Sequence, residues 1–226
     1  MEKAYKFRIY PNKAQEELIQ KTFGCTRYVY NYYLVKRKTA YEERKETLNY
    51  NACSADLTQM KKATEWLKEV DATALQSSIR DLDEAYQNFF RRVKNGEKPG
   101  YPHFKSKKDN KKAFKSKCVG TNIKVLDKHI QLPKLGLVEC RVSKQVEGRI
   151  LSATVSQNPS GKYFVSVLCT DVEWQPLDPT GAIVGIDLGL KEIAITSDGQ
   201  HIPNPSRQVT EETCQTPTAA IPKTKG

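Results

Sequence analysis

The sequence predicts an α+β protein: a β-barrel or antiparallel meander with a helical bundle inserted after its first strand, followed by a separate strand-containing segment. Three observations carry the prediction. Tyr5, Phe7 and Ile9 alternate with Lys6 and Arg8, the period of two that marks a half-buried strand. Leu75, Ile79, Leu82, Tyr86, Phe89 and Val93 fall four and three apart, a continuous apolar seam along a helix. From Asn122 the periodicity shortens again, and turn residues separate five β-rich runs.

In chain order, the opening strand stops at Pro11, which cannot donate to a ladder. Asn12 then offers an N-cap and Gln15 completes a capping box, starting a helix that buries Leu18, Ile19, Thr22 and Phe23. Gly24 is expected to end it. A second helix from about Thr26 mixes Tyr28, Val29, Tyr32, Tyr33 and Val35 with Arg27, Lys36, Arg37 and Lys38, an aromatic core stripe beside a solvated basic face. A third covers about Ala52 to Lys68; Asp71 caps the fourth, which Gly96, Pro99 and Gly100 stop. Strands follow around Ile123 to Leu126, His129 to Leu132, Leu137 to Val142, Ile150 to Gln157 and Tyr163 to Thr170, and the first strand joins their sheet. A Pro-containing linker, Trp174 to Gly181, closes the region.

Beyond the linker, Ile183 to Ile186 and Ile193 to Thr196 flank a tight Asp-Leu-Gly-Leu-Lys turn, which places Asp187 at the end of a buried strand. Such a carboxylate can hold Mg²⁺ only with further oxygen ligands, and Asp-x-Gly after a strand is also an ordinary turn. Both readings stand on the residues alone.

Charge points to a polyanionic partner. The 226 residues carry 37 Lys and Arg against 26 Asp and Glu, a net of +11. Between Arg91 and Lys117 there are eleven Lys and Arg against two acids, so that segment holds +9 of the +11, interleaved with Tyr101, Phe104 and Phe114. Arg91, Arg92, Lys94, Lys105, Lys107, Lys108, Lys111, Lys112, Lys115 and Lys117 are therefore candidates for nucleic-acid backbone contact. No apolar run is long enough to span a membrane and no signal region opens the chain, so a cytoplasmic location and no membrane partner are expected. Six scattered cysteines without a C-x-x-C pair support neither zinc ribbon nor disulfide framework, and three distant histidines form no catalytic grouping.

The motifs Y-K-F-R-I-Y-P-N-K-A-Q, T-R-Y-V-Y-N, A-L-Q-S-S-I-R-D-L-D-E-A-Y-Q-N-F-F-R, P-x-F-K-S-K-K-D and V-G-I-D-L-G-L-K with I-P-N-P stand in one order over residues 3 to 205. Together they resemble the amino-terminal part of the TnpB proteins, the OrfB group of insertion-sequence proteins, which are RNA-guided DNA nucleases related to type V CRISPR effectors. The resemblance implies an oligonucleotide-binding-like wedge barrel (residues 1–11 and 122–173) interrupted by a helical recognition lobe (12–97) and a basic linker (98–121). A linker (174–181), the first strands of an RNase H-like RuvC domain (182–205) and a disordered tail outside the family pattern (206–226) would follow. It further implies that Asp187 is the first RuvC carboxylate and metal ligand, and that Tyr50, Ser54 and Gln76 read a short DNA motif beside the target.

The family's later acidic residues and its zinc ribbon have no counterpart in this sequence. Read one nucleotide later with one allowed set of codons, Val209 to Gly226 becomes a basic helix-like string similar to the one that follows I-P-N-P in the family, which implies a frameshift near Ser206. The expectation is thus a transposon-encoded protein that binds DNA and guide-type RNA in connection with DNA transposition, with an incomplete nuclease site, no tightly held Mg²⁺ and no zinc. Two alternatives are an endonuclease completed by a separately supplied carboxy-terminal half and an actin- or Hsp70-like ATP-binding fragment built on G-I-D-L-G. The sequence leaves the oligomeric state open.

Overall fold

The computed structural model describes residues 1–109, 112–173, 176, 178, 181 and 183–204. The expected tail 206–226, the shifted-frame segment 209–226 and Lys111 lie outside the described residues. The chain divides into two units, Met1–Trp174 and Gln175–Gly226.

In the first unit, strand β1 (Lys3–Tyr10) leads into helix α1 (Lys13–Arg44), α2 (Tyr50–Ala63), a 3-10 turn (Glu65–Lys68) and α3 (Ala72–Lys94). Six strands follow: β2 (Lys112–Lys117), β3 (Lys124–Val125), β4 (His129–Leu132), β5 (Gly136–Arg141), β6 (Arg149–Gln157) and β7 (Tyr163–Thr170). They form one seven-stranded sheet in the order β2-β6-β7-β1-β5-β4-β3, with every pairing antiparallel. β1 lies between β7 and β5, so the strand formed first in sequence is central in space. Its alternation is realised as read: Tyr5, Phe7 and Ile9 are buried, while Lys6, Arg8 and Tyr10 face solvent.

The capping box at the start of α1 forms as expected, Asn12 accepting from the Gln15 amide and Gln15 from that of Asn12. The Gln15 side chain also donates to the carbonyls of Leu135 and Leu137, at 3.1 and 2.8 Å, which ties the helix to the β4–β5 turn. Gly24 does not end the helix. α1 runs unbroken through it, because the residues on either side are held by different apolar clusters, and a single glycine costs a helix only about 1 kcal/mol. Ile19 and Phe23 join the sheet core with Phe7, Val165 and Ile130. Past Gly24, Val29, Tyr33 and Leu34 pack with Leu57, Leu75, Ile79 and Leu82 in a helical core. Burying each such side chain contributes about 1.5–3 kcal/mol, so both clusters easily outweigh the glycine.

Three other expectations are corrected. The third helix stops at Ala63, and Glu65–Lys68 forms a separate 3-10 turn that buries Leu67. The strand near residue 123 shrinks to Lys124–Val125, Ile123 being buried in the core. The expected basic linker contains β2, because Phe114 and Ser116 alternate inward and its backbone pairs with β6 from Lys112 to Lys117.

Asp71 caps α3 by accepting from the Thr73 amide. Across α1 and α3, Arg37 donates to Asp83 at 2.9 Å and lies over the Tyr86 ring at 4.4 Å, with only 10% and 19% of the two paired side chains exposed. At Gly148, φ is +80° and a Cβ would stand 2.2 Å from the Thr170 carbonyl oxygen, so this turn admits no side chain without movement.

The second unit contains, among its described residues, β8 (Ile186–Asp187), β9 (Glu192–Thr196) and β10 (His201–Pro203), an antiparallel sheet in the order β10-β9-β8. Asp187 was expected at the end of a buried strand. Both residues of β8 are instead exposed, because this three-stranded sheet has no second layer among the described residues of its unit.

Candidate nucleic-acid interface

The basic segment begins on the last turn of α3, where Arg91, Arg92 and Lys94 are exposed and stand at the negative end of the helix dipole. That placement by itself stabilises the helix, so these cations have a structural use whatever they bind. The chain then returns along the helices rather than looping freely. The Tyr101 and Tyr86 hydroxyls meet at 3.0 Å, the Tyr101 ring packs edge-on against Tyr86 and Phe89, and Pro102 is buried.

Asn31 of α1 fixes the next stretch by a reciprocal pair of bonds. Its side chain donates to the Lys105 carbonyl at 3.0 Å and accepts from the Lys105 amide at 2.9 Å. The Lys105 ammonium sits 4.1 Å from the Tyr30 ring centroid and 3.8 Å from Asp81. Burial raises the pKa of the Asp81 carboxyl, with Lys105 and Lys115 working in the opposite direction. Lys105 is therefore a clasp between the segment and two helices, unlike the solvent-facing Lys107 and Lys108. The latter lie in a tight turn closed by Asp109, which accepts from the Ser106 amide.

Return of the chain into β2 leaves a cleft of about 640 Å³ between α1, α3 and the segment. Lys112 and Lys115 line it, joined by Arg27 and His103, with Asp81 and Asp109 as its acids. Lys117 lies farther along β2, where its amide donates to the Thr73 hydroxyl at 3.0 Å. Arg27 and His103 were not singled out from the sequence as contacts. Arg27 lies one helical turn beyond Phe23, a placement hidden while Gly24 was read as a helix end.

The three residues linked to base readout lie on neighbouring helices. Tyr50 opens α2 and Ser54 is one turn on, so they share a face; Gln76 and Arg80 share a face of α3 by the same spacing. The Arg80 guanidinium lies 4.3 Å from the Tyr50 ring centroid and joins the two faces. Tyr50, Ser54 and Gln76 are each half-buried and Arg80 is exposed. Arg80, like Arg27 and His103, is a residue that the sequence reading passed over.

Asp187 is separate in kind. The next two acids after it along the chain are engaged elsewhere: Glu192 is 2.7 Å from the His201 imidazole, and Asp198 accepts from the Thr196 hydroxyl. Among the described residues no group of three His, Cys, Asp or Glu side chains is placed to hold a metal ion. The described carboxylates are thus not grouped as a magnesium pair requires, with several oxygen ligands on each ion. Also among the described residues, no helix is long and apolar enough to cross a membrane.

Comparison with known proteins adds the following. The helix-turn-helix domain model of the OrfB proteins of the IS605 group matches residues 1–46. Here that span forms one strand and the whole of one continuous helix, α1. InsQ of Escherichia coli (strain K12), by its name a candidate RNA-guided DNA endonuclease, is 34% identical over 198 residues, 87% of this chain and 47% of its own length. A candidate RNA-guided DNA endonuclease of Streptomyces pristinaespiralis is 33% identical over 213 residues, 92% of this chain and 51% of its own. This chain spans about half the length of both relatives. Among solved structures, the Cas12f1–sgRNA–target DNA complex matches 94% of this chain and 59% of that chain, with 16% identity and a TM-score of 0.35.

Proposed function

The chain belongs to the TnpB/OrfB family of insertion-sequence proteins, and from that premise we propose that it binds DNA and guide-type RNA through the clasped basic segment 91–117. The observation that carries this reading is the way the segment is held. Asn31, Tyr86 and Asp81 pin it to the helices, so Lys107 and Lys108 are presented from a fixed turn beside the cleft lined by Arg27, His103, Lys112 and Lys115. A cationic surface whose geometry is set before binding spends less free energy on ordering when a phosphate backbone arrives. The names of the two relatives from Escherichia coli and Streptomyces pristinaespiralis, each a candidate RNA-guided DNA endonuclease by designation, agree with that class of partner. In this reading the sheet of the first unit closes as a wedge-type barrel, the helices form a recognition lobe, and the second unit begins a RuvC domain.

Tyr50, Ser54 and Gln76 read base edges, with Gln76 able to bond bidentately to adenine. Asp187 keeps the position of the first RuvC carboxylate. These residues alone hold no Mg²⁺ tightly, bind no zinc and do not cut DNA, since the neighbouring Glu192 and Asp198 are committed to His201 and Thr196. A companion reading has the cleavage site completed by carboxylates from outside these residues. The exposure of Asp187 favours it, because an exposed acid is open to such partners.

The test is the salt dependence of nucleic-acid binding. Charge reversal at Lys107, Lys108, Lys111 and Lys112 should flatten the log–log slope by about 0.7–0.9 for each phosphate that is no longer neutralised. An unchanged slope rules the segment out. In the same assay Gln76→Ala should relax discrimination at one base pair and leave non-specific binding intact. Incubation of the chain with labelled target, RNA and Mg²⁺ should give no cleavage; cleavage that Asp187→Ala abolishes would favour the companion reading.

A further inference from the structure

Helix α1 carries apolar side chains on two sides, and the fold buries only one of them. Val29 and Tyr33 are enclosed in the helical core, while Tyr28, Tyr32 and Val35, four and three residues apart on another face, are 42%, 39% and 47% exposed. The aromatic stripe expected for this helix is therefore split, and its outer half serves no core. Trp66 of the 3-10 turn, 39% exposed, stands beside it. Its ring meets Tyr28 edge-on at 5.1 Å between centroids, and Tyr28 stacks on Tyr32 at 6.2 Å. Three partly exposed rings thus form one ridge with a slot on each side of Tyr28.

The polar groups around the ridge fix the chemistry of what can cover it. Lys36, 5.9 Å from the Tyr32 ring centroid, pairs with Asp56 at 2.7 Å, and Lys21, two turns before Tyr28, pairs with Glu69. Glu65 and Lys68, of opposite sign, flank Trp66 in the 3-10 turn. The ridge therefore matches the basic segment in aromatic content but not in charge, and an uncharged ligand suits it better than a phosphate backbone. The Trp66 indole can only donate, and neither it nor the Tyr28 and Tyr32 hydroxyls has a hydrogen-bond partner among the described residues. A complementary ligand is thus apolar, uncharged and rich in carbonyl acceptors. A proline-rich segment has these properties: proline lacks an N–H, and in the polyproline II conformation the carbonyls have no internal partner.

We propose that Tyr28, Tyr32 and Trp66 form a docking surface for a proline-rich segment of a partner protein. Proline rings pack in the two slots beside Tyr28, and Trp66 donates to a carbonyl of the segment. One turn of polyproline II, three residues at about 3.1 Å each, carries the segment from Trp66 to Tyr32. Little ordering is needed on either side, because the segment is preformed and each ring turns about only two side-chain bonds. The surface uses no residue of segment 91–117 and none of Tyr50, Ser54 or Gln76, so it stands or falls separately from the nucleic-acid reading.

The probe is a polyproline peptide of about ten residues, capped at both ends so that it carries no charge. Trp66 and Trp174 are the chain's two tryptophans, so a Trp174→Phe background makes Trp66 the fluorescent reporter. Titration of the full chain should give a saturable change in Trp66 emission that is flat with salt, since no counterions are released. By calorimetry Tyr28→Ala and Tyr32→Ala should each weaken binding about tenfold or more, and Tyr32→Phe, which keeps the ring, should weaken it less than either. Both positions are exposed, so urea midpoints of these variants should stay near the parent's and show the fold intact. The proposal is overturned by the absence of a saturable change up to about 1 mM peptide. Equal affinity in the alanine variants, or equal binding of a capped glycine–serine peptide of the same length, overturns it too. Displacement of the peptide by a short single-stranded RNA would assign the ridge to nucleic acid, and a concentration-dependent dimer that Tyr32→Ala abolishes would assign it to a second copy of this chain; either result also overturns the proposal.

Discussion

The two sheets of this chain are built from similar residues and end in different states. In the seven-stranded sheet, Tyr5, Phe7 and Ile9 of β1 are no more than 4% exposed. Around the three-stranded sheet, Ile183, Leu188 and Leu190 are 96%, 75% and 93% exposed, and Ala194 is the buried apolar residue among those described. Alternation tells which face of a strand is apolar, while burial depends on a second layer. α1 and α3 supply that layer to the first sheet through Ile19, Phe23 and Ala74. The described part of the second unit contains strands and no helix.

Paired truncations measure this difference most directly and should give the largest effect. Phe7→Ala removes a ring that is 2% exposed and should cost about 3–5 kcal/mol in a urea titration. Ile186→Ala removes a side chain that is 65% exposed and should stay within about 0.5 kcal/mol. A cost for Ile186→Ala approaching that of Phe7→Ala would break the comparison, for it would mean that something covers the smaller sheet in solution.

A pH titration sharpens the same contrast with a smaller effect. Burial raises the thiols of Cys140, in the sheet core, and Cys25, in the helical core, each to about 11 from an ordinary value of 9.0. Lys21 opposes the shift at Cys25. A group that holds its proton more tightly when folded stabilises the fold fully below its unfolded pKa and loses that contribution as pH rises through the folded one. Stability of the first unit should therefore decline between about pH 9 and about 11. The double variant Cys25→Ala/Cys140→Ala should flatten the decline. An equally steep curve in that variant would assign it to other groups.

Legibility in the sequence followed the range of the interactions involved. β1, the capping box at Asn12 and Gln15, and β4 and β7 were readable because their signals lie within a few residues. β2 was hidden under its lysines: Lys112, Lys115 and Lys117 dominate the composition, and only pairing with β6, about 40 residues away in sequence, makes it a strand. At the candidate interface, charge located the basic segment but could not separate Lys105, clasped to Asp81 and Tyr30, from Lys107 and Lys108, which face solvent. Arg27, His103 and Arg80 needed tertiary contacts to be noticed, and the meeting of Trp66 with Tyr28 is invisible in either segment alone.

The smallest expected effect is at Gly24, where the two clusters of the first unit meet on one helix. A glycine here reads as a stop, yet α1 continues through it, with Phe23 in the sheet core and Cys25 in the helical core. A Cβ added at Gly24 would meet nothing within 4 Å beyond the helix's own nearby backbone. Its φ is not in the left-handed region that favours glycine. Gly24→Ala should then stabilise the protein by about 0.5–1 kcal/mol, chiefly by restricting the unfolded chain. Thermal and urea unfolding would measure the gain. RNA and DNA titrations on the same variant add a second readout. If the glycine is only a tolerated helical residue, binding stays unchanged while stability rises. Weaker binding with higher stability would instead show that bending at Gly24 moves the helical core against the sheet, and that this motion is part of how the basic segment takes up its ligand.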